Sequence, residues 1–143
     1  MSKIFIDANI LLDILLPARA NHKKAVLAYE KVCERYDTLV TSENILTTIE
    51  YIASKNGTDC KTIWKFFYNL TQNFEIVNFS EILKDALKIY KEKCYKNIKI
   101  DFEDLLQIES AIKNRCSAFL TADKGILNSE FKIEVLSLND LAD

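Results

Sequence analysis

Short apolar runs alternate along the chain with longer segments in which apolar residues recur every three or four positions. The first pattern is typical of buried strands and the second of amphipathic helices. Strands that alternate with helices in this way predict βαβ units, and therefore an α/β protein whose mostly parallel sheet is covered by helices on both faces. The predicted strands are Lys3–Asp7, Thr38–Thr41, Phe74–Asn78, Ala118–Ala122 and Ile133–Leu136.

Polar residues at the predicted helix starts support this division of the chain. Ser42, Thr58, Ser80 and Asp101 are predicted N-caps, because their short side chains accept hydrogen bonds from the first free backbone N–H groups of a helix. Gly57 is predicted to end a helix, since glycine readily adopts the left-handed conformation found there. The predicted helices begin near residues 10, 22, 42, 58, 80 and 101, with a short turn of helix after residue 123.

The composition is that of a helix-rich globular protein. The chain has 143 residues, of which 49% are hydrophobic, with two glycines and one proline. We therefore expect a single domain over residues 1–143. The apolar stretches are too short for a transmembrane helix, the N-terminus lacks the pattern of a signal peptide, and the four cysteines are widely scattered. These features predict a cytoplasmic protein with reduced thiols.

The residue inventory excludes several classes of catalytic site. The single histidine, His22, excludes a multi-histidine zinc site, and no GxSxG motif is present for a serine hydrolase. With only Gly57 and Gly125, the chain has neither a P-loop nor a GxGxxG turn to bind phosphates. The net charge of −2 does not indicate a nucleic-acid partner, so any such partner must meet a local patch or bound metal ions. Acidic residues remain as the candidates.

Two acids directly follow predicted strands. Asp7 comes after the apolar run Ile4–Ile6, and Asp123 comes after Phe119–Ala122. If the two strands are parallel neighbours, both carboxylates emerge at the same edge of the sheet, which is where α/β proteins bind ligands. The alternative is that each carboxylate is simply the N-cap of the helix that follows it.

Two more acids lie on one side of the predicted helix that begins at residue 101. At about 100° per residue, Asp104 shares a face with Asp101 and with apolar residues one and two turns further on. Glu103 falls on the other side with Gln107 and Ser110, as expected of a solvated acid. Asp101 could be an N-cap, with Asp104 favoured by the positive end of the helix. Yet no lysine or arginine stands at helical spacing to neutralise Asp104.

Glu50 lies at the margin of the apolar stripe of the helix that begins at residue 42. The stripe consists of Ile45, Ile49, Ile52 and Ala53. Glu50 is therefore away from the middle of the polar face and is a candidate for the same site. The alternative is that this boundary side chain extends into water.

The four acids Asp7, Glu50, Asp104 and Asp123 come from four elements that can converge at one end of the sheet. Clustered carboxylates raise one another's pKa unless divalent cations are bound among them. Because oxygen ligands favour hard ions, the cluster predicts Mg²⁺ or Mn²⁺. Such ions bind phosphodiesters and activate water, so hydrolysis of a phosphodiester is the predicted reaction.

Four segments of the sequence resemble the motifs of PIN-domain nucleases, including the VapC-type toxins of toxin–antitoxin pairs. They are residues 6–13 (IDANILLD), 48–51 (TIEY), 101–111 (DFEDLLQIESA) and 120–124 (LTADK). Each segment is short, but all four occur in the family's order and approximate spacing, and the likeness extends from residue 4 to about 136. One departure follows Asp123, where Lys-Gly-Ile-Leu stands in place of the second acid and the aromatic residue of many relatives.

The resemblance implies a three-layer α/β/α Rossmann-like PIN fold and Mg²⁺- or Mn²⁺-dependent endonucleolytic cleavage of single-stranded RNA. It also implies which residues are catalytic metal ligands, namely Asp7, Glu50, Asp104 and Asp123. Asp101 would be a further metal-binding acid, and Asn9 and Thr121 would be supporting polar residues. Many relatives form homodimers and the toxins bind an antitoxin protein, so these are the protein partners that the resemblance implies.

A lysine-rich segment, residues 84–99, is the best local patch for RNA. Lys88, Lys91 and Lys96 are predicted to contact phosphates, while Tyr90 and Tyr95 could stack on unpaired bases. The alternative is an exposed lysine-rich helix face whose tyrosines are partly in the core.

Two other functions compete with a nuclease. A non-catalytic PIN-like module that binds RNA or protein would show no metal-induced rise in melting temperature. A phosphotransferase or receiver domain would form an aspartyl phosphate, but a receiver needs a pair of acids near the first strand and an Asp at the end of a middle strand. Neither arrangement is evident in the sequence.

Overall fold

A five-stranded parallel sheet forms the centre of the computed structural model, which describes residues 2–129 and 131–141. The strand order is β3-β2-β1-β4-β5, and each neighbouring pair is parallel. The predicted strands are confirmed, with bounds that differ by at most two residues. The strands are β1 (Lys3–Ile6), β2 (Thr38–Ser42), β3 (Phe74–Val77), β4 (Ala118–Leu120) and β5 (Glu134–Leu136).

The helices cover both faces of this sheet. From β1 the chain steps through β2 to β3, then crosses back to β4 and continues in the opposite direction to β5. Because parallel connections are right-handed, this reversal puts α1–α4 on one face and α5–α7 on the other, which confirms the three-layer α/β/α architecture. The helices are α1 (Ala8–Leu15), α2 (His22–Arg35), α3 (Glu43–Lys55), α4 (Cys60–Asn73), α5 (Leu83–Tyr95), α6 (Phe102–Lys113) and α7 (Lys124–Leu127), with a 3₁₀ turn at Asn139–Leu141.

Two of the predicted N-cap positions are wrong, in each case because a neighbouring side chain makes the better hydrogen bonds. α4 is capped by Asp59 rather than Thr58, and Asp59 Oδ1 accepts the backbone N–H of Thr62 at 2.8 Å. Ser80 does not begin α5, because its N–H and its hydroxyl both donate to Asn78 Oδ1. This local turn delays the start of the helix by about one turn.

Three helices end in the same way, on a residue with a positive φ. These residues are Gly57 after α3, Asn97 after α5 and Arg115 after α6, with φ values of 86°, 55° and 63°. In each, two successive N–H groups bond back to carbonyls of the last helical turn, which is the pattern of the Schellman motif. The prediction that Gly57 ends a helix is confirmed.

The main hydrophobic core is centred on the middle strand β1 and its neighbour β4. Phe5 of β1 and Phe119 of β4 are completely buried, and their rings stack with centroids 5.0 Å apart. A second, smaller cluster lies between α5 and α6 and contains Ile82, Ala86 and Leu105. The first cluster holds β1 and β4 together, and the second holds α6 against α5.

Two expectations from the sequence concern membrane-spanning helices and the cysteine thiols. Within the described ranges, no helix combines the length and the apolar character needed to cross a membrane. Cys33, Cys60 and Cys94 are exposed free thiols, and Cys116 is a buried one. Burial raises the pKa of the Cys116 thiol to about 12, so it packs as an uncharged core side chain.

Candidate metal centre

The reversal of the chain path between β1 and β4 creates a crevice at the carboxyl ends of these two strands. The connections that leave β1 and β4 run to opposite faces of the sheet, and ligands of open α/β sheets bind at such a point. Asp7 follows β1, and its N–H donates to Leu120 O of β4 at 3.0 Å. Asp123 follows β4 after two residues. The two carboxylates therefore emerge at the same edge of the sheet, as predicted.

Asp7 is held by hydrogen bonds to both of its carboxylate oxygens. The backbone N–H of Ala8 donates to Oδ1 at 2.8 Å, and the hydroxyl of Thr121 donates to Oδ2 at 2.8 Å. Burial raises the pKa of Asp7 above its usual value, and the charges of Asp123 and Glu103 raise it further, while the two hydrogen bonds act in the opposite direction. The carboxylate is thus oriented but poorly solvated.

Asp123 combines a capping role with a second, unused oxygen. Its Oδ1 accepts the N–H groups of Gly125 at 2.8 Å and Ile126 at 3.2 Å, which begins α7. Its own N–H donates to the hydroxyl oxygen of Thr121 at 3.0 Å, and that hydroxyl in turn donates to Asp7. Thr121 therefore joins the two acids. In the described part of the chain, Asp123 Oδ2 has no hydrogen-bond partner.

Asp101 and Asp104 approach this edge from the start of α6. Asp101 is the predicted N-cap, and its Oδ1 accepts the N–H of Asp104 at 2.9 Å. Asp104 is half-buried, and burial followed by the charges of Asp123, Asp101, Asp7 and Glu103 raises its pKa from 3.8 to about 7. Its carboxylate has no hydrogen-bond or ion-pair partner among the residues that the structure describes. Among these acids, Asp104 is therefore the one whose buried charge is least offset by hydrogen bonds or opposite charges.

The opposite side of α6 is not the solvated face that its periodicity predicts. Glu103 is exposed, but it lies close enough for its charge to raise the pKa of both Asp7 and Asp104. Gln107 and Ser110 are buried instead, because α6 contacts both β2 and α5. Ser42 occupies the predicted N-cap position of α3, but its hydroxyl donates to Gln107 Oε1 at 2.7 Å instead of capping the helix.

The structure does not bring Glu50 together with the other acids. Ile45, Ile49 and Ala53 of α3 are completely buried, and Glu50 lies on the exposed side of the same helix. The hydrogen bond to Glu50 is a long one of 3.4 Å from the Ser54 hydroxyl. Its charge is not among those that raise the pKa of the clustered acids. The alternative of a solvated boundary residue describes it better, and Glu50 is left out of the proposed site.

The other predicted site residues divide into two groups. Asn9 lies at the crevice, where its Oδ1 accepts the N–H of Ala122 at 3.2 Å and ties the start of α1 to the end of β4. Lys88, Lys91 and Lys96 are exposed on α5 and just beyond it. The ammonium group of Lys91 lies over a tyrosine ring of its own helix, 5.5 Å from the centroid.

The donor set of this crevice fits a hard divalent cation. Asp101, Asp104 and Asp123 line a cavity of about 330 Å³ beside the end of β4. As the side chains stand, no three His, Cys, Asp or Glu residues within 2–129 and 131–141 enclose one position closely enough to hold an ion. That geometry is compatible with Mg²⁺, which keeps several waters and is bound through one or two carboxylates. The ion pairs in the described ranges, Lys3–Glu75 and Asp13–Arg19, involve none of these acids.

A parallel α/β/α sheet with acids at its switch point thus defines the class of the protein, and comparison with known proteins defines its family. The PIN-domain family model matches residues 4–132. Ribonuclease VapC1 of Aquifex aeolicus (strain VF5) is 31% identical over 142 residues, which cover 99% of this chain and 94% of that protein. The chain therefore belongs to the PIN-domain family.

Solved structures show the same fold at low sequence identity. The DNA-bound VapBC of Salmonella typhimurium superposes with a TM-score of 0.72 at 13% identity, over 96% of this chain and 99% of the other. VapC20 of Mycobacterium tuberculosis, described as a Sarcin-Ricin loop cleaving toxin, gives a TM-score of 0.69 at 10% identity, over 91% and 98%. At these identities the likeness concerns the fold.

Proposed function

We propose that this protein is an endoribonuclease that hydrolyses single-stranded RNA with the help of Mg²⁺ or Mn²⁺. The observation that carries the proposal is the half-buried Asp104, whose pKa is raised to about 7 by burial and by the neighbouring acids. A chain that keeps such acids together without a described lysine or arginine partner is suited to bind a cation. The ribonuclease name of the 31% identical relative supports the choice of substrate class.

Asp7, Asp104 and Asp123, with Asp101 beside them, are the residues that would hold the cation. When bound there, the cation would supply positive charge to polarise a phosphodiester and to activate water. Thr121 fixes the positions of Asp7 and Asp123 through hydrogen bonds of 2.8 and 3.0 Å. The remaining role of the chain is to exclude bulk water from Asp7, which is only 8% exposed.

Cleavage of a fluorescent single-stranded RNA by the purified protein tests this proposal. We expect cleavage with Mg²⁺ or Mn²⁺ and none in EDTA. Substituting residues that hydrogen-bond to metal ligands typically costs roughly 10- to 100-fold in activity. Asp104→Asn removes a proposed ligand itself and should reduce the cleavage rate by more than that. Glu50→Gln is the matched control, because it removes a carboxylate outside the cluster and should leave the rate unchanged. Cleavage that persists in EDTA, or in Asp104→Asn, would contradict the proposal.

A PIN-like module that binds RNA or protein without cutting is the second candidate. It is favoured by one observation, namely that no three acids in the described ranges enclose a single ion position. Thermal unfolding with and without Mn²⁺ separates the two functions, because a cation that binds the folded state raises its melting temperature. A rise in the wild type that is absent in Asp104→Asn supports the nuclease, and no rise in either supports the binding module.

We further propose that the protein is the toxin of a toxin–antitoxin pair. Several solved relatives with this fold are toxin–antitoxin complexes, including one from Klebsiella pneumoniae at 19% identity. The product of a small neighbouring reading frame should co-purify with this chain and inhibit its RNA cleavage. A neighbour that does not bind, or that binds without inhibiting cleavage, would contradict this assignment.

A further inference from the structure

A groove beside α5 adjoins the cavity of the candidate metal centre. It measures about 650 Å³ and is lined by Tyr90 and Cys94 of α5 and by the connection to α6, residues 97–101. We call this the α5 groove. Its volume lies within the range of roughly 300–1,000 Å³ that is typical of small-molecule sites. Lys99, Ile100 and Asp101 line both the groove and the acidic cavity, so the two lie on either side of this short segment.

The wall shared by the groove and the cavity is fixed at both ends. At one end Asn97 has a φ of 55°, its N–H donates to Cys94 O at 3.1 Å, and the N–H of Ile98 donates to Lys93 O at 2.9 Å. At the other end Asp101 caps α6. A connection restrained in this way is preorganised, so a ligand that binds along it loses little affinity to ordering the chain.

The groove offers a positive charge and apolar surfaces. Of the described residues that line the groove and the acidic cavity, Lys99 carries the positive charge. The Tyr90 ring is held edge-on against Phe102, with centroids 5.1 Å apart and an interplanar angle of 65°. Ile98 is 47% exposed. Lysines bind phosphates, aromatic rings stack on unpaired bases and aliphatic side chains make apolar contacts with them, which suits a single-stranded nucleotide.

We propose that the α5 groove binds the nucleotide next to the phosphodiester bond that is cleaved. Lys99 contacts the adjoining phosphate, and Tyr90 and Ile98 pack against the base. This inference rests on the proposed ribonuclease function and names the substrate-binding part of that same site. The inference assigns the main phosphate contact to Lys99. The earlier candidates Lys88, Lys91 and Lys96 are not among the described residues that line the groove or the acidic cavity.

The test is the binding of a short fluorescein-labelled single-stranded RNA, measured by anisotropy at several salt concentrations. The Asp104→Asn background in EDTA keeps the RNA intact. Lys99→Ala should raise Kd several-fold and reduce the slope of log Kd against log salt by about 0.7, the value for one phosphate contact on a single strand. Lys99→Arg should retain both values, and Ile98→Ala should raise Kd without changing the slope.

Lys113→Ala is the matched control, because Lys113 ends α6, a helix of 12 residues, and is therefore about 17 Å from its start. It removes the same charge and should change neither value. Equal effects of Lys99→Ala and Lys113→Ala, or no effect of Lys99→Ala, overturn the inference. RNA cleavage by wild-type protein is measured separately. If the wild type cleaves RNA and Lys99→Ala binds RNA unchanged, only the inference about the α5 groove fails. If the wild type does not cleave RNA, the proposed function fails, and the binding series still tests whether the groove binds RNA.

Discussion

Three carboxylates of the proposed metal site also accept hydrogen bonds at helix starts. Asp7, Asp101 and Asp123 each accept backbone N–H groups at the start of a helix with one oxygen. The capping alternative considered for these acids is therefore real, and it does not compete with metal binding, because capping orients the carboxylate. Asparagine caps helices about as well as aspartate, so Asp→Asn variants remove the charge and retain the cap.

Asp104→Asn should stabilise the metal-free protein at high pH. The folded-state pKa of about 7 lies above the usual 3.8, so the folded state binds a proton that the unfolded state releases. That stability is fully present below about pH 4 and is lost as the pH rises through 7. The melting temperatures of variant and wild type in EDTA should therefore agree near pH 4, with the variant higher at pH 8. A constant difference across this range would contradict the burial of Asp104.

Thr121→Val should destabilise the protein and loosen both strand-end acids. The valine has nearly the same shape, but it neither donates to Asp7 nor accepts from the N–H of Asp123. Leaving such buried groups unpartnered costs about 1–3 kcal/mol, which urea denaturation measures. Thr121→Ser keeps the hydroxyl and is the control. Equal stability of the valine variant and the wild type would show that the hydroxyl does not join the two acids.

At the scale of the element, helix ends decide where the site residues stand. The left-handed residue after α5 directs the chain along the α5 groove, and the one after α6 directs it into β4. Asn97 suits this conformation, because asparagine visits the left-handed region more readily than most residues. Arg115 does not, and its φ of 63° is a local conflict between sequence and structure.

Arg115→Gly should therefore raise the free energy of unfolding. A non-glycine residue in the left-handed region is less stable by roughly 1–2 kcal/mol, and glycine avoids most of that penalty. The hydrogen bonds of the motif, from the N–H of Arg115 to Ile112 O at 3.0 Å and from that of Cys116 to Ala111 O at 2.9 Å, involve only backbone and are retained. Arg115→Lys should change nothing. A lower stability of the glycine variant would show that the arginine side chain outweighs the backbone conflict.

At the scale of the whole molecule, the pairing of β1 with β4 brings together the centre of the core and the two sides of the acidic crevice. Phe119→Ala would remove the ring that stacks on Phe5, and such a substitution costs about 3–5 kcal/mol in a packed core. That is a large part of the roughly 5–15 kcal/mol total stability of a domain. Trp64→Ala removes a larger ring that is 63% exposed and should change stability by only about 0.5 kcal/mol. Chemical denaturation measures the free energy of unfolding of both variants. Similar losses of stability would contradict the central position of Phe119 in the core.

The sequence predicts the strands, the parallel sheet and the strand-end acids Asp7 and Asp123, because apolar runs and their C-terminal residues are local features. It does not predict which sides of a helix are covered, since this depends on elements distant in sequence. Gln107 is therefore buried against expectation, and Glu50 stands apart from the other acids. The position of Lys99 depends on how two helices are joined, and no periodic pattern reports that.

The central position of β1 has a consequence for the order of events during synthesis. β1 can pair with β2 as soon as the first 42 residues have emerged, but its other edge stays open until β4, residues 118–120, leaves the ribosome. Asp123 follows β4, so a nascent chain lacks the complete acidic crevice until residue 123 has emerged. A growing chain from which only β1–β3 have emerged therefore cannot assemble the proposed metal site.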